Sequence, residues 1–324
     1  MKRYVSIFCI VTAFLVSYTS LSFSCDFCIL SQGISPLETV KGAGIRINER
    51  YTLLDEVYKG TEKVKNPGAR EEFWTAEFTG FYGVTEDLML LGVIPYKKTK
   101  LDGHLHVHAD GDIEVHSDMK GEQSGLGDIA LLGRYTFFKT HTIDTTTTIA
   151  GLLGVKLATG KTDGKTEDGA EFLDSHLQLG TGSTDYLVGL SLSHAIQKFS
   201  LSANLLGIIA TEGKAGNTKH QFGNMLNYDI TAKYRIHPYE LAPTAAQLFV
   251  AIGVNGETRE REKENGAEVI NSGGSTLYAS PAIQLTLPPH WVAEIQYQHP
   301  IYHNLYGTQL AEDYRFVGGV TYLF

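Results

Sequence analysis

Beyond its first 30 residues the sequence lacks any run of about 20 apolar residues, so no spanning helix is encoded there. It has only 3 cysteines in 324 residues, too few for a disulfide framework. Lys and Arg number 27 against 36 Asp and Glu, a formal net charge of −9. That balance excludes the broad cationic surface of a nucleic-acid binder. Apolar residues at helical spacing are missing over any length comparable to a helix. Mean hydropathy is −0.10 with 43% hydrophobic residues. Such values suit a soluble chain, and equally a barrel in which only alternate residues meet lipid.

What is present begins with a leader. Lys2 and Arg3 precede an apolar run from Tyr4 to about Tyr18, followed by Ser20, Ser22 and Ser24. A basic start, an apolar middle and small residues before a cut after Ser24 make residues 1–24 a secretory signal peptide. Cys9 leaves with it. The exported chain then opens on Cys25 and Cys28 within a segment of residues 25–42. A tight disulfide is the simplest fate of that pair, with a redox or metal role left open. Covalent haem attachment would need His after the second cysteine, and Ile29 stands there.

From residue 43 the chain alternates with period two. About 12 segments of strand length follow one another: 43–57, 71–84, 87–101, 123–138, 144–159, 183–197, 199–212, 219–236, 245–259, 272–288, 290–303 and 311–324. In the second, Trp74, Ala76, Phe78, Gly80 and Tyr82 share one face and Thr75, Glu77 and Thr79 the other. The eighth sets Leu226, Tyr228, Ile230, Ala232, Tyr234 and Ile236 against Asn227, Asp229, Thr231, Lys233 and Arg235. The third, fifth and seventh are apolar on both faces, which a partly filled lumen would tolerate. The last segment places Tyr314, Phe316, Gly318, Val320, Tyr322 and Phe324 on one face, aromatic at both ends and apolar between, as a bilayer with two interfaces requires.

Connections after even-numbered segments are short and those after odd-numbered ones mostly longer. Short turns and long loops alternating along an even number of strands describe an outer-membrane type barrel. The expected fold is therefore an all-β, transmembrane, antiparallel up-and-down β-barrel over residues 43–324, in the bacterial outer membrane of a Gram-negative cell, with both termini periplasmic. Pro95 and Pro281 fall inside strands and should mark bulges or kinks, because proline donates no ladder hydrogen bond. The expected partners are outer-membrane lipid, the barrel-assembly machinery through the C-terminal strand, and a small-molecule solute, with no nucleic acid.

Three stretches carry a resemblance. Gly125-Leu126-Gly127-Asp128 opens the fourth strand, Lys156 to Lys161 (K-L-A-T-G-K) ends the fifth, and Gln178 to Asp185 (Q-L-G-T-G-S-T-D) leads into the sixth. Over residues 70–324 they make the chain similar to the outer-membrane transporter family labelled as the MetA pathway of phenol degradation. The resemblance implies a channel for small molecules, aromatic or apolar ones included. No strand-to-helix step follows these glycines, so they do not form a phosphate cradle.

Charges that cannot face lipid should face the lumen. On this ground Glu77, Asp128, Arg134, Lys156, Asp229, Lys233, Arg235, Glu294 and Arg315 are the candidate pore-lining residues, setting selectivity or closing the lumen as a network. The second outer loop holds His104, His106, His108 and His116 among Asp110, Asp112, Glu114 and Asp118. Imidazoles and carboxylates together suit Zn(II), Cu(II) or Ni(II), while the same pattern is also a solvated hairpin arm turning at Asp110-Gly111-Asp112. Zn or Cu there would be an accessory, since no cofactor is required. Ser193 and His194 point to opposite faces of a strand and cannot pair as nucleophile and base, and no other catalytic residue is expected. The functional expectation is a channel or transporter for a small solute, with a metal-associated barrel and a structural, non-conducting barrel as alternatives.

Overall fold

The structure, a computed structural model, describes residues 42–107, 112–240 and 244–324. The leader, Cys25, Cys28 and His108 lie outside the described residues. Twelve strands form the barrel: β1 (Ala43–Lys59), β2 (Arg70–Gly83), β3 (Leu88–Val107), β4 (Ile129–His141), β5 (Thr145–Leu157), β6 (Asp185–Ile196), β7 (Phe199–Ile209), β8 (Met225–His237), β9 (Gln247–Arg259), β10 (Gly274–Leu287), β11 (Trp291–Leu305) and β12 (Thr308–Leu323). Each pairs antiparallel with its neighbours. The sheet closes because β12 returns to β1, paired from Gly44 opposite Leu323 to Lys59 opposite Thr308 with register shifts around Leu54. Closure leaves neither end strand with a free edge, the condition for a sheet to cross a bilayer.

Period-two burial follows the sequence. Ile45 and Ile47 of β1 stand outward while Arg46 and Asn48 are buried inside. Outward side chains form an apolar belt bounded by aromatics. At the end carrying the long loops, Tyr51, Tyr314 and Tyr297 form one linked row of rings and Trp74 and Tyr96 a second pair. At the end carrying the short turns, Tyr82, Tyr135, Phe137 and Tyr234 are exposed, and Trp291 and Phe324 each meet the Tyr322 ring edge to face. Amphipathic rings at both rims of an apolar belt fit the two interfaces of a membrane. The fold is a transmembrane β-barrel. One outward charge breaks the pattern: Glu49 is exposed one row inside the Tyr51 rim, between Ala76 and Gly318.

This alternation gives a first prediction. Ile295 is 56% exposed on the outer surface, and Glu294 beside it points inward. Ile295→Arg should cost about 2–4 kcal/mol of folding free energy in lipid. Urea unfolding in bilayers measures it; an unchanged midpoint would remove the membrane-facing assignment of this face.

Three departures from the sequence expectation have local causes. The fourth segment is two strands: residues Ile113–Leu126 pair with the loop-end half of β3, and β4 proper pairs with its turn-end half. The break falls opposite Pro95, whose carbonyl takes the Gly127 N–H at 2.8 Å. Pro281 itself brings no register shift: the β10–β11 ladder runs in one register from Ala279–His299 to Ala282–Gln296, and its bulge falls at Leu277/Tyr278. The eighth strand begins at Met225, because Thr218–Gln221 joins Gly213–Ala215, Lys263–Glu264 and Ala267–Glu268 in a separate four-stranded sheet over the loop end. The last loop-end connection is also tight, with β12 leaving β11 through Tyr306 and Gly307.

Candidate functional site

The resemblance motifs meet at one place, where β4, β5 and β6 reach the loop end. Asp128, just before β4, accepts the Gly160 N–H on Oδ1 at 2.9 Å. Its Oδ2 accepts the Thr181 N–H and hydroxyl, both at 2.7 Å. Asp185 accepts the Ser183 hydroxyl and the Thr211 N–H, each at 2.9 Å, and Lys156 bridges it at 2.6 Å. Both carboxylates are almost wholly buried. The glycines belong to the same knot: a Cβ on Gly160 would stand 2.6 Å from the Gly180 Cα, and one on Gly180 would stand 2.7 Å from Asp128 Oδ1. Gly182 turns with φ +69°, beside the Lys214 backbone. Two buried carboxylates thus fix both ends of the loop between β5 and β6, residues 158–184. Charged acceptors make the stronger class of hydrogen bond, so the clamp is stiff.

The fixed loop folds inward. Its Leu173 and Leu177 pack with Leu101 of β3 in a small apolar core. The Leu177 carbonyl accepts from the Thr99 hydroxyl at 2.8 Å and from Gln123 at 2.7 Å. Gln178, 3% exposed, ties the loop internally to Gly164 and Leu173. Two histidine–carboxylate contacts join loop to wall: His176 Nε2 to Glu71 Oε2 at 3.1 Å, and His104 Nδ1 to Asp174 Oδ2 at 3.3 Å. Between this loop, the β3 arm and the wall of β9, β10 and β12 lies a cavity of about 710 Å³. Leu105, Val107, Phe172 and Leu310 give it apolar surface, and Glu257, Arg259, Glu262 and Glu312 give it charge. Such a volume holds one small organic molecule.

The loop crowds His176, 38% exposed, and so opposes its charge, but the adjacent Glu71 carboxylate outweighs this and raises the imidazolium pKa to about 10. Burial likewise opposes charge on Glu262, which its contact with His220 at 3.3 Å reverses, lowering its pKa. A histidine pKa raised above its ordinary value gives a contribution complete below about pH 6.5 and lost as pH rises through about 10. Docking of residues 158–184 should therefore weaken on the alkaline side. Protease cutting of this loop should rise between about pH 8 and about pH 11 in the parent, and much less in His176→Gln, which never carries the charge. Equal pH dependence in the two would disprove the contribution.

Below the cavity the lumen has two unlike walls. On β2 to β6, Phe81, Met89, Leu91, Val93, Leu132, Leu152 and Leu187 form a buried apolar cluster. The third and fifth strands, apolar on both faces in the sequence, contribute Met89, Leu91, Val93 and Leu152 to it. The opposite wall is polar: Asn255, Ser280, Gln284, Gln296 and Gln298 are each at most 3% exposed. Arg315 binds Glu257 and Glu312 near the loop end, and Arg46 binds Glu294 and Asn48 toward the turn end.

Of the residues singled out from sequence, Arg134, Lys233, Arg235, Glu294 and Arg315 are buried on the inner face, and Glu77 and Asp229 are half-buried there. Asp229 accepts from Asn204 at 3.0 Å. Asp128 and Lys156 sit in the loop clamp. Along the second outer loop, His104 opposes His116 in register, and the His106 and His116 rings meet edge to face at 5.5 Å. Among the described residues no three His, Cys, Asp or Glu side chains come together as a metal site. Ser193 is buried inward while His194 bonds Thr147. Glu71, His220, Glu257 and Glu262 were not singled out from sequence, because each acquires its partner from a distant strand or loop.

A family model described as "Putative MetA-pathway of phenol degradation" matches residues 69–307. Among solved structures, an outer membrane channel from Pseudomonas putida F1 superposes with a TM-score of 0.65 at 12% identity, covering 92% of this chain and 100% of that one. The β domain of the Bordetella autotransporter BrkA gives a TM-score of 0.43 at 10% identity, covering 87% and 100%. The first likeness establishes a shared barrel fold, and the second is too distant to carry more. No curated protein matches the sequence.

Proposed function

The chain belongs to the family of the MetA pathway of phenol degradation, and we propose that it is an outer-membrane channel passing a small solute with an apolar body and a polar group. The observation that carries this reading is the two-walled lumen, an apolar cluster facing a polar wall beneath a cavity sized for one small molecule. A solute that slides along such a lumen keeps its apolar part out of water and its polar group hydrogen-bonded throughout. The relative from Pseudomonas putida is itself named an outer membrane channel. Long loops on one end and short turns on the other support an orientation with both termini in the periplasm. The closing strand β12 and its Phe324 are then the segment handed to the barrel-assembly machinery. The inward loop 158–184 is the constriction that the solute passes.

Planar-bilayer conductance and liposome swelling with small aromatic solutes test this directly. Stepwise conductance and solute-dependent swelling are expected. A correctly folded barrel, shown by a heat-dependent gel shift, that gives neither would overturn the channel and leave a structural barrel.

A further inference from the structure

We propose that the turn-end half of the lumen contains a carboxylate-binding site, built by Lys233 and Arg235 around Phe249, that takes a small aromatic carboxylate. Lys233 and Arg235 occupy alternate positions of β8 and both point inward, 4% and 6% exposed. One residue lies between them, so their Cα atoms are about 7 Å apart on one face. Phe249 of β9 stands opposite Arg235 in register and is 8% exposed, and the Lys233 ammonium lies 4.9 Å from its ring centroid. The next strand brings Gln284 opposite Phe249, where its Oε1 accepts from Lys233 Nζ at 2.9 Å. On the other side Ser200 of β7 stands opposite Lys233, also buried.

The Arg235 guanidinium is what points to a ligand. It is buried, yet its Nε–H meets no acceptor, and among the described residues no carboxylate pairs with it. The inward Glu294, in register with Gln284, is engaged by Arg46. An enclosed cation without a counter-charge is costly, and a ligand carboxylate would complete it. The guanidinium fork matches a planar carboxylate through two parallel N–H bonds, and the lysine adds a second charge without fixed geometry. Phe249 sets the rest of the ligand: its ring, 8% exposed with the Lys233 ammonium over one side, is the surface against which a second ring would stack offset. A compact inorganic anion would use the charges and leave that face uncovered. The site deepens the channel reading by naming the solute class, and depends on it only for the ligand's route in.

The purified barrel in detergent is titrated calorimetrically with benzoate, with uncharged benzamide and with inorganic phosphate. Benzoate should bind, with benzamide and phosphate each weaker by about tenfold or more. Arg235→Gln should weaken benzoate by about tenfold or more, and Arg235→Lys, which keeps charge and loses the fork, by less. Phe249→Leu should weaken benzoate and leave phosphate unchanged. Folding of each variant is checked by its heat-dependent gel shift, and Arg235→Lys with Phe249→Leu carries the test if Arg235→Gln does not fold. No benzoate binding by the parent, equal binding by folded Arg235 variants, or tighter binding of phosphate than benzoate would each overturn the site. Conductance of the same preparation separates the two readings. A conducting barrel that ignores benzoate loses the site and keeps the channel, while a barrel that binds benzoate without conducting does the reverse.

Discussion

Asp128→Ala should raise single-channel conductance several-fold and make the current fluctuate, because it releases the loop that narrows the lumen. The carboxylate holds Gly160 at one end of that loop and Thr181 at the other, through three hydrogen bonds of 2.7 to 2.9 Å. Removing it leaves two buried backbone N–H groups without acceptors and leaves Lys156 to Asp185 alone. Loss of one partner from a buried charged network typically costs about 3–5 kcal/mol, enough to shift a docked loop toward its undocked form. Asp128→Asn should behave almost as badly, because its amide would place donors against the Thr181 donors. Barrel strands outside the clamp keep their ladders, so the folded barrel should survive. Recordings in planar bilayers decide it: parental conductance and noise in a folded Asp128→Ala barrel would mean that the loop is held by its apolar contacts through Leu173 and Leu177.

The largest stability effect is expected at Glu294. Its carboxylate binds Arg46 inside the barrel, both side chains at most 6% exposed, and Arg46 also donates to Asn48 at 3.2 Å. The pair spans the closing seam, since Arg46 lies on β1 and Glu294 on β11, with β12 between them. Glu294→Ala should destabilise the barrel by about 3–5 kcal/mol, because it removes the counter-charge of an enclosed guanidinium. The double change Arg46→Met with Glu294→Leu should recover most of that loss, since neither charge then remains to be satisfied. Urea unfolding in micelles, followed by tryptophan fluorescence, measures both. A single variant as stable as the parent would show that water in the lumen, and not Glu294, compensates Arg46.

Strand composition was legible because it is local. Once Ile45, Ile47, Phe78, Ile230 and Ile295 alternate with polar residues, their exposure on one surface follows from the pleat. The glycine and aspartate motifs around Asp128 were equally visible as a pattern. Their task was not, because it arises only when the β4 start, the β5 end and the β6 approach converge from residues 128, 160 and 181. Asp128 and Lys156 were grouped with lumen charges on the argument that they could not face lipid. That argument separates lipid from everything else, and cannot separate a lumen from a loop clamp at its rim. Glu49 shows its other limit, since it stands outward near the aromatic rim, where a carboxylate's cost falls.

By itself the sequence determined that this chain forms a closed, membrane-spanning barrel of about 12 strands, because period-two hydrophobicity and turn placement are properties of neighbouring residues. Only the tertiary structure decided which charges answer each other. Glu71 reaches His176, Glu262 reaches His220 and Arg46 reaches Glu294 across long stretches of chain. Closing the barrel and folding its third long loop inward turned those scattered residues into a mouth, a constriction and a two-walled lumen. Electrostatic and hydrogen-bond partners act over a few ångströms in space, a distance along which sequence separation carries no information.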